Sequence, residues 1–269
     1  MKKIAFIGAG KMAEAIFQRL MRERIIISDK NTRRLQELKA KYKVTLATSN
    51  QEAFKEADIV FLSVKPQDMP EVLNELSMIK LAKEEAENKL IISIAAGVPI
   101  NYIQSKITCC QVIRAMPNNP CMVGMGATAL VKGRDTSLRM YKNAETIFKA
   151  VGEVYWVPEN WVDAVTGLSG SGPAFVYQMV EGLTEGGVEA GLPREIAEKL
   201  ALQTLCGAAG MISQTEQSTP ELTKMVASPG GTTEEGLKVL EEFKFKEALS
   251  KAVVAAAQKA KNISQSWSF

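Results

Sequence analysis

Residues 3–22 read KIAFIGAGKMAEAIFQRLMR, and this stretch decides the fold of the first half of the chain. Its near-continuous apolar start predicts a strand that is buried on both faces of a parallel sheet. The apolar period from Met12 onwards predicts a helix. Between them, Gly8 permits a tight turn, Gly10 lets a backbone approach a pyrophosphate, and Ala13 lets the helix pack on its strand. The order predicts a dinucleotide site, with a purely structural glycine turn as the alternative.

The end of the second predicted strand bears on which dinucleotide would bind. Asp29 follows that strand and lies about 20 residues after Gly8, where an acidic residue favours a free ribose 2′-hydroxyl. Ser28, Lys30 and Arg33 could instead surround a 2′-phosphate. Asp29 could also cap the following helix. The residues alone leave these alternatives open.

Three later predicted strands also end in residues that suit a ligand. They run into the segments 63–66 (SVKP), 95–97 (AAG) and 115–120 (AMPNNP). The carboxyl ends of parallel strands share one edge of an open α/β sheet, and ligands bind at that edge. Together with the glycine turn, these strand ends are therefore expected to form one ligand site.

The composition excludes several classes of function. The chain has 269 residues, no histidine and a net charge of +3, which favours neither nucleic acid nor an anionic membrane as a partner. Cys109, Cys110, Cys121 and Cys206 show no metal-binding spacing, so no metal site is expected. The lack of histidine excludes His-dependent dehydrogenase and hydrolase mechanisms. No leader precedes the first strand and no apolar run reaches about 18 residues, so we expect a cytoplasmic protein.

The pattern of the sequence changes after residue 157. Alternating strands and helices predict an α/β Rossmann-like domain with a mostly parallel sheet over residues 1–157, which binds the dinucleotide. Residues 158–269 lack further apolar strands, and they predict an all-α domain for substrate binding and dimerisation, beginning with a helix over about 159–168.

Glycines inside one predicted helix, over 173–190, are the unusual feature of the second half. Gly182, Gly186 and Gly187 each cost about 1 kcal/mol relative to alanine in a helix interior. Such a sequence is expected where another backbone approaches closely. It predicts tight packing within the domain or across subunits, and a homodimer or higher homo-oligomer.

The second informative motif is SPGGTT at residues 228–233. A proline and two glycines before a new helix leave several N–H groups free to bind an anion, with a threonine hydroxyl beside them. The alternative is a helix cap in which Glu235 completes a capping box. The segment 167–173 (GLSGSGP) is a comparable small-residue loop that enters a helix.

Taken together, these motifs resemble the pyrroline-5-carboxylate reductase family. The resemblance runs from residue 4 to about residue 263, and SPGGTT is its most specific part. It rests on six segments: 7–12 (IGAGKM), 63–66 (SVKP), 94–97 (IAAG), 114–118 (RAMPN), 167–174 (GLSGSGPA) and 228–233 (SPGGTT).

The resemblance implies an enzyme that reduces L-1-pyrroline-5-carboxylate to L-proline in the last step of proline biosynthesis, with NADPH as the cofactor and NADH as the alternative. It implies that Thr233 is catalytic and hydrogen-bonds the ring nitrogen. The substrate would bind at Ser228, Gly230, Gly231, Thr232, Thr233 and Glu216, with its carboxylate on the N–H groups of residues 230–232. The cofactor would contact Gly8, Ala9, Gly10, Lys11, Met12, Ser28, Asp29, Asn50, Ser63, Val64, Lys65, Pro66, Ala95, Ala96 and Gly97. The helical domain would pair with a second subunit.

Two other functions fit parts of the pattern. A related imine or β-hydroxyacid reductase would share the two-domain plan, but its helical domain would be expected to carry a lysine that faces the nicotinamide. A non-catalytic dinucleotide sensor would keep the nucleotide loops, but would need no second anion site at 228–233.

Overall fold

The computed structural model describes residues 1–267 and contains a sheet of eight strands in the order β3-β2-β1-β4-β5-β6-β7-β8. Neighbouring strands are parallel except β6 and β7, which are antiparallel. The predicted Rossmann-like, mostly parallel sheet is confirmed. The strands are Lys3–Ile7 (β1), Arg24–Ser28 (β2), Thr45–Leu46 (β3), Ile59–Leu62 (β4), Leu90–Ser93 (β5), Gln111–Met116 (β6), Gly126–Lys132 (β7) and Gly152–Trp156 (β8).

Helices cover the sheet and then make up most of the rest of the described chain. They are Lys11–Phe17 (α1), Thr32–Lys41 (α2), Asn50–Glu56 (α3), Met69–Ser77 (α4), Lys83–Asn88 (α5), Ile100–Lys106 (α6), Leu138–Lys149 (α7), Val162–Val165 (α8), Gly172–Glu189 (α9), Arg194–Gln214 (α10), Thr219–Val226 (α11), Thr232–Glu242 (α12) and Phe245–Gln265 (α13). Within residues 1–267, none of these helices combines the length and the apolar character that crossing a bilayer requires.

The chain divides into two compact units. The sheet unit comprises residues 1–171 together with the chain from Val254 onwards, and the helical unit comprises Gly172–Val253. The last helix, α13, therefore begins in one unit and ends in the other. The domain boundary predicted after residue 157 differs from this division, because residues 158–171 pack with the sheet. As a boundary between functional domains it stays a prediction.

Both faces of the sheet are buried, as the apolar strands predict. Along β1, Ile4 and Phe6 join one hydrophobic cluster and Ala5 and Ile7 join another, because successive side chains of a strand point to opposite faces. The rings of Phe6 and Phe61 stack with centroids 4.4 Å apart. Packing on both faces holds the strands in place, and with them the loops at their carboxyl ends.

The prediction of one continuous helix over about 159–168 is wrong. Residues 159–161 form a 3₁₀ turn, α8 is one turn long, and residues 166–170 form a π-helical turn. The backbone N–H of Ser171 reaches back to the carbonyl of Thr166 at 2.9 Å. Small residues at 166–172 permit this wider turn, and helical periodicity alone did not reveal it.

The helix-interior glycines are explained in part. A Cβ at Gly187 would lie 3.1 Å from the Cβ of Ala197, so α9 and α10 do approach closely there. Nothing lies within 4 Å of the equivalent positions at Gly182 and Gly186. Tight packing within the helical unit therefore accounts for Gly187 only.

Candidate active site

The glycine turn after β1 has the geometry that the motif predicts. Gly8 has a φ of +94°, and a Cβ there would lie 2.7 Å from the main-chain carbon and oxygen of Ser63. The Ser63 hydroxyl donates to the Gly8 carbonyl at 2.7 Å. Gly10 has open space where a Cβ would stand. Only glycine fits at position 8, and position 10 leaves room for a ligand to approach the backbone.

Asp29 holds the glycine turn. Its carboxylate accepts the N–H of Ala9 at 2.7 Å and the N–H of Asn31 at 2.8 Å. The alternative that Asp29 caps α2 is wrong, because Asn31 is the N-cap and accepts the N–H of Arg34 at 3.0 Å. Arg34 also donates to the Ala9 carbonyl at 3.0 Å. Asp29 thus lies at the predicted nucleotide site, where its carboxylate hydrogen-bonds the backbone of the glycine turn.

A cavity of about 380 Å³ opens at the carboxyl ends of β1, β2 and β4. It brings together seven of the residues predicted to bind the cofactor, which are Gly8, Gly10, Asp29, Asn50, Ser63, Val64 and Lys65. A second cavity, of about 540 Å³, lies along the glycine turn and adds Ala9 and Lys11. Ser28 is buried and reaches the first cavity through Asn50, whose amide oxygen accepts the serine hydroxyl at 2.8 Å.

Sequence reasoning missed one wall of the first cavity. Gln67, Asp68, Glu71, Val72 and Glu75 line it from α4 and the turn before that helix. The 71, 72, 75 spacing places three of them on one helix face, which is the signal that could have found them. This wall is rich in carboxylates, and one of them is paired across the cavity by Lys30, at 2.6 Å from Asp68.

A carboxylate network braces the second cavity. Glu14 accepts hydrogen bonds from Lys41 at 2.8 Å and from Tyr42 at 2.9 Å, and it pairs with Arg34. Burial alone would raise the pKa of Glu14, but the hydrogen bonds from Lys41, Arg34 and Tyr42 outweigh it and lower that pKa to about 2. Glu14 is therefore ionised at neutral pH and ties α1 to α2 beneath the glycine turn.

The predicted cofactor segment at 95–97 is packed against the last part of α13. Gly97 has a φ of +75°, and a Cβ there would lie 2.4 Å from Cγ2 of Ile263 on α13. The Ser264 hydroxyl lies 3.2 Å from a carboxylate oxygen of Asp163, and the rings of Tyr102 and Trp267 lie 4.7 Å apart. Met12, Pro66, Ala95, Ala96 and Gly97 line neither cavity. Their cofactor contacts, like those of the residues that line the cavities, stay predictions.

The segment 228–233 forms the helix entry that the motif predicts, but its N–H groups already have partners. Gly230 has a φ of +71° and donates its N–H to the carboxylate of Glu234 at 2.5 Å. The N–H of Gly231 donates to the Ser228 carbonyl at 2.9 Å. The capping box with Glu235 is wrong, because Gly231 is the N-cap and the returning carboxylate belongs to Glu234. The nest therefore does bind a carboxylate, and that carboxylate is the chain's own.

The remaining predicted substrate residues surround this helix entry or stand apart from it. Thr232 is exposed and Thr233 half-buried in the first turn of α12. Glu216 is exposed in the turn between α10 and α11, and its role stays a prediction. The predicted cofactor residues thus belong to the sheet unit, and the predicted substrate residues belong to the helical unit.

Comparison with known proteins gives matches along nearly the whole chain. Residues 159–263 match the family model described as pyrroline-5-carboxylate reductase dimerisation, and residues 3–97 match the one described as NADP oxidoreductase, coenzyme F420-dependent. The chain is 43% identical over 267 residues to a pyrroline-5-carboxylate reductase of Synechocystis, which covers 97% of this chain and 98% of the relative. It is 40% identical over 270 residues to that of Arabidopsis thaliana, covering 98% and 96%.

Solved structures of the same description share the fold. The structure from Coxiella burnetii is 38% identical, with a TM-score of 0.87 and 98% of both chains covered. The structure from Plasmodium falciparum, which has NADP bound, is 31% identical, with a TM-score of 0.85 and the same coverage. These likenesses favour neither a different reductase nor a sensor.

Proposed function

The chain belongs to the pyrroline-5-carboxylate reductase family, and from this we propose that Thr233 and the amides of residues 230–232 bind the imine substrate for reduction. The protein is an NAD(P)-dependent oxidoreductase that acts on a carbon–nitrogen bond and converts L-1-pyrroline-5-carboxylate to L-proline. The observation that supports the proposal is the N–H of Gly230 at the start of α12, which donates to the carboxylate of the chain's own Glu234.

The sheet unit fits the dinucleotide that the family uses. A side chain at position 8 would collide with the Ser63 backbone, and the open space at Gly10 suits a pyrophosphate. When bound, NADPH supplies the hydride. We propose that the residues predicted for the cofactor, from Gly8 to Gly97, hold it, with NADH as an alternative donor.

The helical unit would orient the substrate. Amide N–H groups at residues 230–232 would bind the substrate carboxylate, which requires Glu234 to give up the Gly230 N–H and the Ser228 carbonyl to share or give up that of Gly231. The Thr233 hydroxyl would hydrogen-bond the ring nitrogen, where charge changes as the imine becomes an amine. Because a protonated cyclic imine is already electrophilic, orientation matters more than a strong acid, and a chain without histidine suffices.

Residues 159–263 match a family model that describes dimerisation, so the protein is a homo-oligomer. We propose that this oligomer is a homodimer, in which the two chains pair through their helical units. An apolar cavity of about 570 Å³ lies there between α9, α12 and α13, and Gly182 is part of its wall. A cytoplasmic location, and the absence of nucleic-acid partners, stay predictions from the thiols and the charge.

Thr233 is tested by NADPH oxidation with L-1-pyrroline-5-carboxylate. Thr233→Val is expected to lower kcat/KM by about 100-fold, and Thr233→Ser by less than about tenfold, with the KM for NADPH unchanged in both. Thr232→Val is the matched control, because its hydroxyl is exposed one residue earlier. Equal activity of Thr233→Val and the wild type would rule out the proposed role.

A further inference from the structure

A pair of adjacent thiols lies outside the machinery of the reaction. Cys109 and Cys110 directly precede β6, so they lie at the amino end of that strand, away from the edge that binds the dinucleotide. Their sulfur atoms are 3.6 Å apart. Cys109 is exposed and Cys110 is buried. The Cys109 thiol is therefore accessible from solvent, and the two sulfur atoms are close enough to bind the same ligand atom.

The spacing suits one bridging atom better than a disulfide. A soft centre bound at about 2.3 Å from each sulfur spans 3.6 Å when the angle between its two bonds is about 100°. A disulfide bond is about 2.04 Å long, so the sulfurs would have to close by about 1.5 Å. The pair thus matches a single thiophilic atom without movement of the backbone.

The surroundings favour a neutral ligand. Burial raises the pKa of the Cys110 thiol, the Cys109 sulfur raises it further, and the Lys89 ammonium only partly opposes them. Lys89 is itself buried and donates to the carbonyl of Phe54 at 2.9 Å. A divalent cation would need both thiols ionised where burial disfavours the thiolate, and the Lys89 ammonium would repel that cation, whereas a neutral electrophile can take up the thiols with their protons.

Space for the rest of a ligand is available. The pair opens into a cavity of about 370 Å³, walled by Gln104, Gln111 and Arg134 among others. A cavity of about 150 Å³ is enough to hold benzene, so an aryl group fits beside the sulfurs.

We propose that Cys109 and Cys110 form a two-thiol binding site for trivalent arsenicals. With an organic arsenoxide, two arsenic–sulfur bonds form and the arsenic–oxygen bond breaks, and the two thiol protons leave with that oxygen as water. Arsenic stays trivalent and both sulfurs keep their oxidation state, so the step needs no oxidant or reductant.

The test is intact-mass spectrometry of the reduced full-length protein with phenylarsine oxide. We expect one phenylarsenic group per chain, bound with loss of one water, and removed by a dithiol but not by a monothiol. Cys109→Ser and Cys110→Ser are each expected to weaken binding by about 100-fold, because two-point attachment is lost. Cys206→Ser removes an exposed thiol of the helical unit and should bind like the wild type.

The turnover of NADPH checks that each variant is folded, since neither thiol has a part in catalysis. Cys109→Ser carries the test if Cys110→Ser fails to fold, because Cys109 is exposed. Undiminished binding by Cys109→Ser, release of the arsenical by a monothiol, or loss of binding in Cys206→Ser would each overturn the proposal.

Discussion

Replacing Gly97 tests whether the last part of α13 holds the predicted cofactor segment at 95–97. Gly97 combines a φ of +75° with a close approach to Ile263, whose Cγ2 would lie 2.4 Å from a Cβ at position 97. Gly97→Ala is therefore destabilised by two effects, the positive φ of residue 97 and the steric clash with Ile263. Ile263→Ala removes the atom of closest approach, Cγ2, and leaves the backbone effect.

The magnitudes follow from these two terms. An alanine at positive φ costs about 1–2 kcal/mol, and an overpacked contact costs about 1–3 kcal/mol. Gly97→Ala should thus lower the free energy of unfolding by about 2–5 kcal/mol. Ile263 is 39% exposed, so Ile263→Ala should cost only about 1 kcal/mol, which is below the range for fully buried positions. The double variant should recover about 1–3 kcal/mol of the expected sum, because Cγ2 is gone and the nearest atom left on residue 263 is its Cβ, at 3.2 Å.

The assay is urea unfolding of all four proteins, with the KM for NADPH measured alongside. Gly97→Ala is expected to raise that KM more than it lowers kcat, and Ile263→Ala in the same chain should partly restore it. Val254→Ala on the same helix, an exposed position, is the matched control. Effects that add within about 0.5 kcal/mol would refute the reasoning, since they would show that Ile263 moves aside freely.

Three further changes address the two anion sites and the glycine turn. Glu234→Gln should lower the KM for the imine by about fivefold, because a charged competitor for the Gly230 N–H is removed; steady-state kinetics checks this, and a matching drop in Glu235→Gln would contradict it. Asp29→Asn should raise the ratio of kcat/KM for NADPH to that for NADH by about three- to tenfold, because one negative charge near the ribose disappears; an unchanged ratio would mean that Asp29 only holds Ala9. Glu14→Gln should lower the urea midpoint at neutral pH by an amount equivalent to about 1–2 kcal/mol. Since the folded pKa of Glu14 is lowered from 4.5 to about 2, this stabilisation is present above pH 4.5 and is lost as the pH falls towards 2, so the gap between variant and wild type should close over that range.

Local motifs predicted the parts of the site that depend on local geometry. The turn at Gly8 was found because tight turns and close backbone approach demand glycine, and the structure supplies the reason in the Ser63 backbone. The helix entry at Gly230 and Gly231 was found for the same reason. The sequence could not show that the chain's own Glu234 occupies it, since residues 234 and 235 fit a cap equally well.

Contacts between distant segments account for what was missed. The acidic wall of α4 reaches the nucleotide cavity only because the chain turns back after β4. The packing of Ile263 on Gly97 joins residues that no local pattern relates. Distant contacts also place residues 158–171 in the sheet unit, for example the hydrogen bond from Asn118 to the Ser169 carbonyl at 3.0 Å, and the functional boundary after residue 157 stays a prediction.

The division of α13 between the two units also orders events during synthesis. Domains that emerge first from the ribosome generally fold first, so all eight strands are available before the helical unit exists. Yet Ile263, which covers Gly97, and Trp267, whose ring lies 4.7 Å from that of Tyr102, are translated only after the helical unit. A message cut short before α13 would yield a chain with every nucleotide loop and no cover for one of them. The unit that starts folding first is therefore completed only after the other unit has been made.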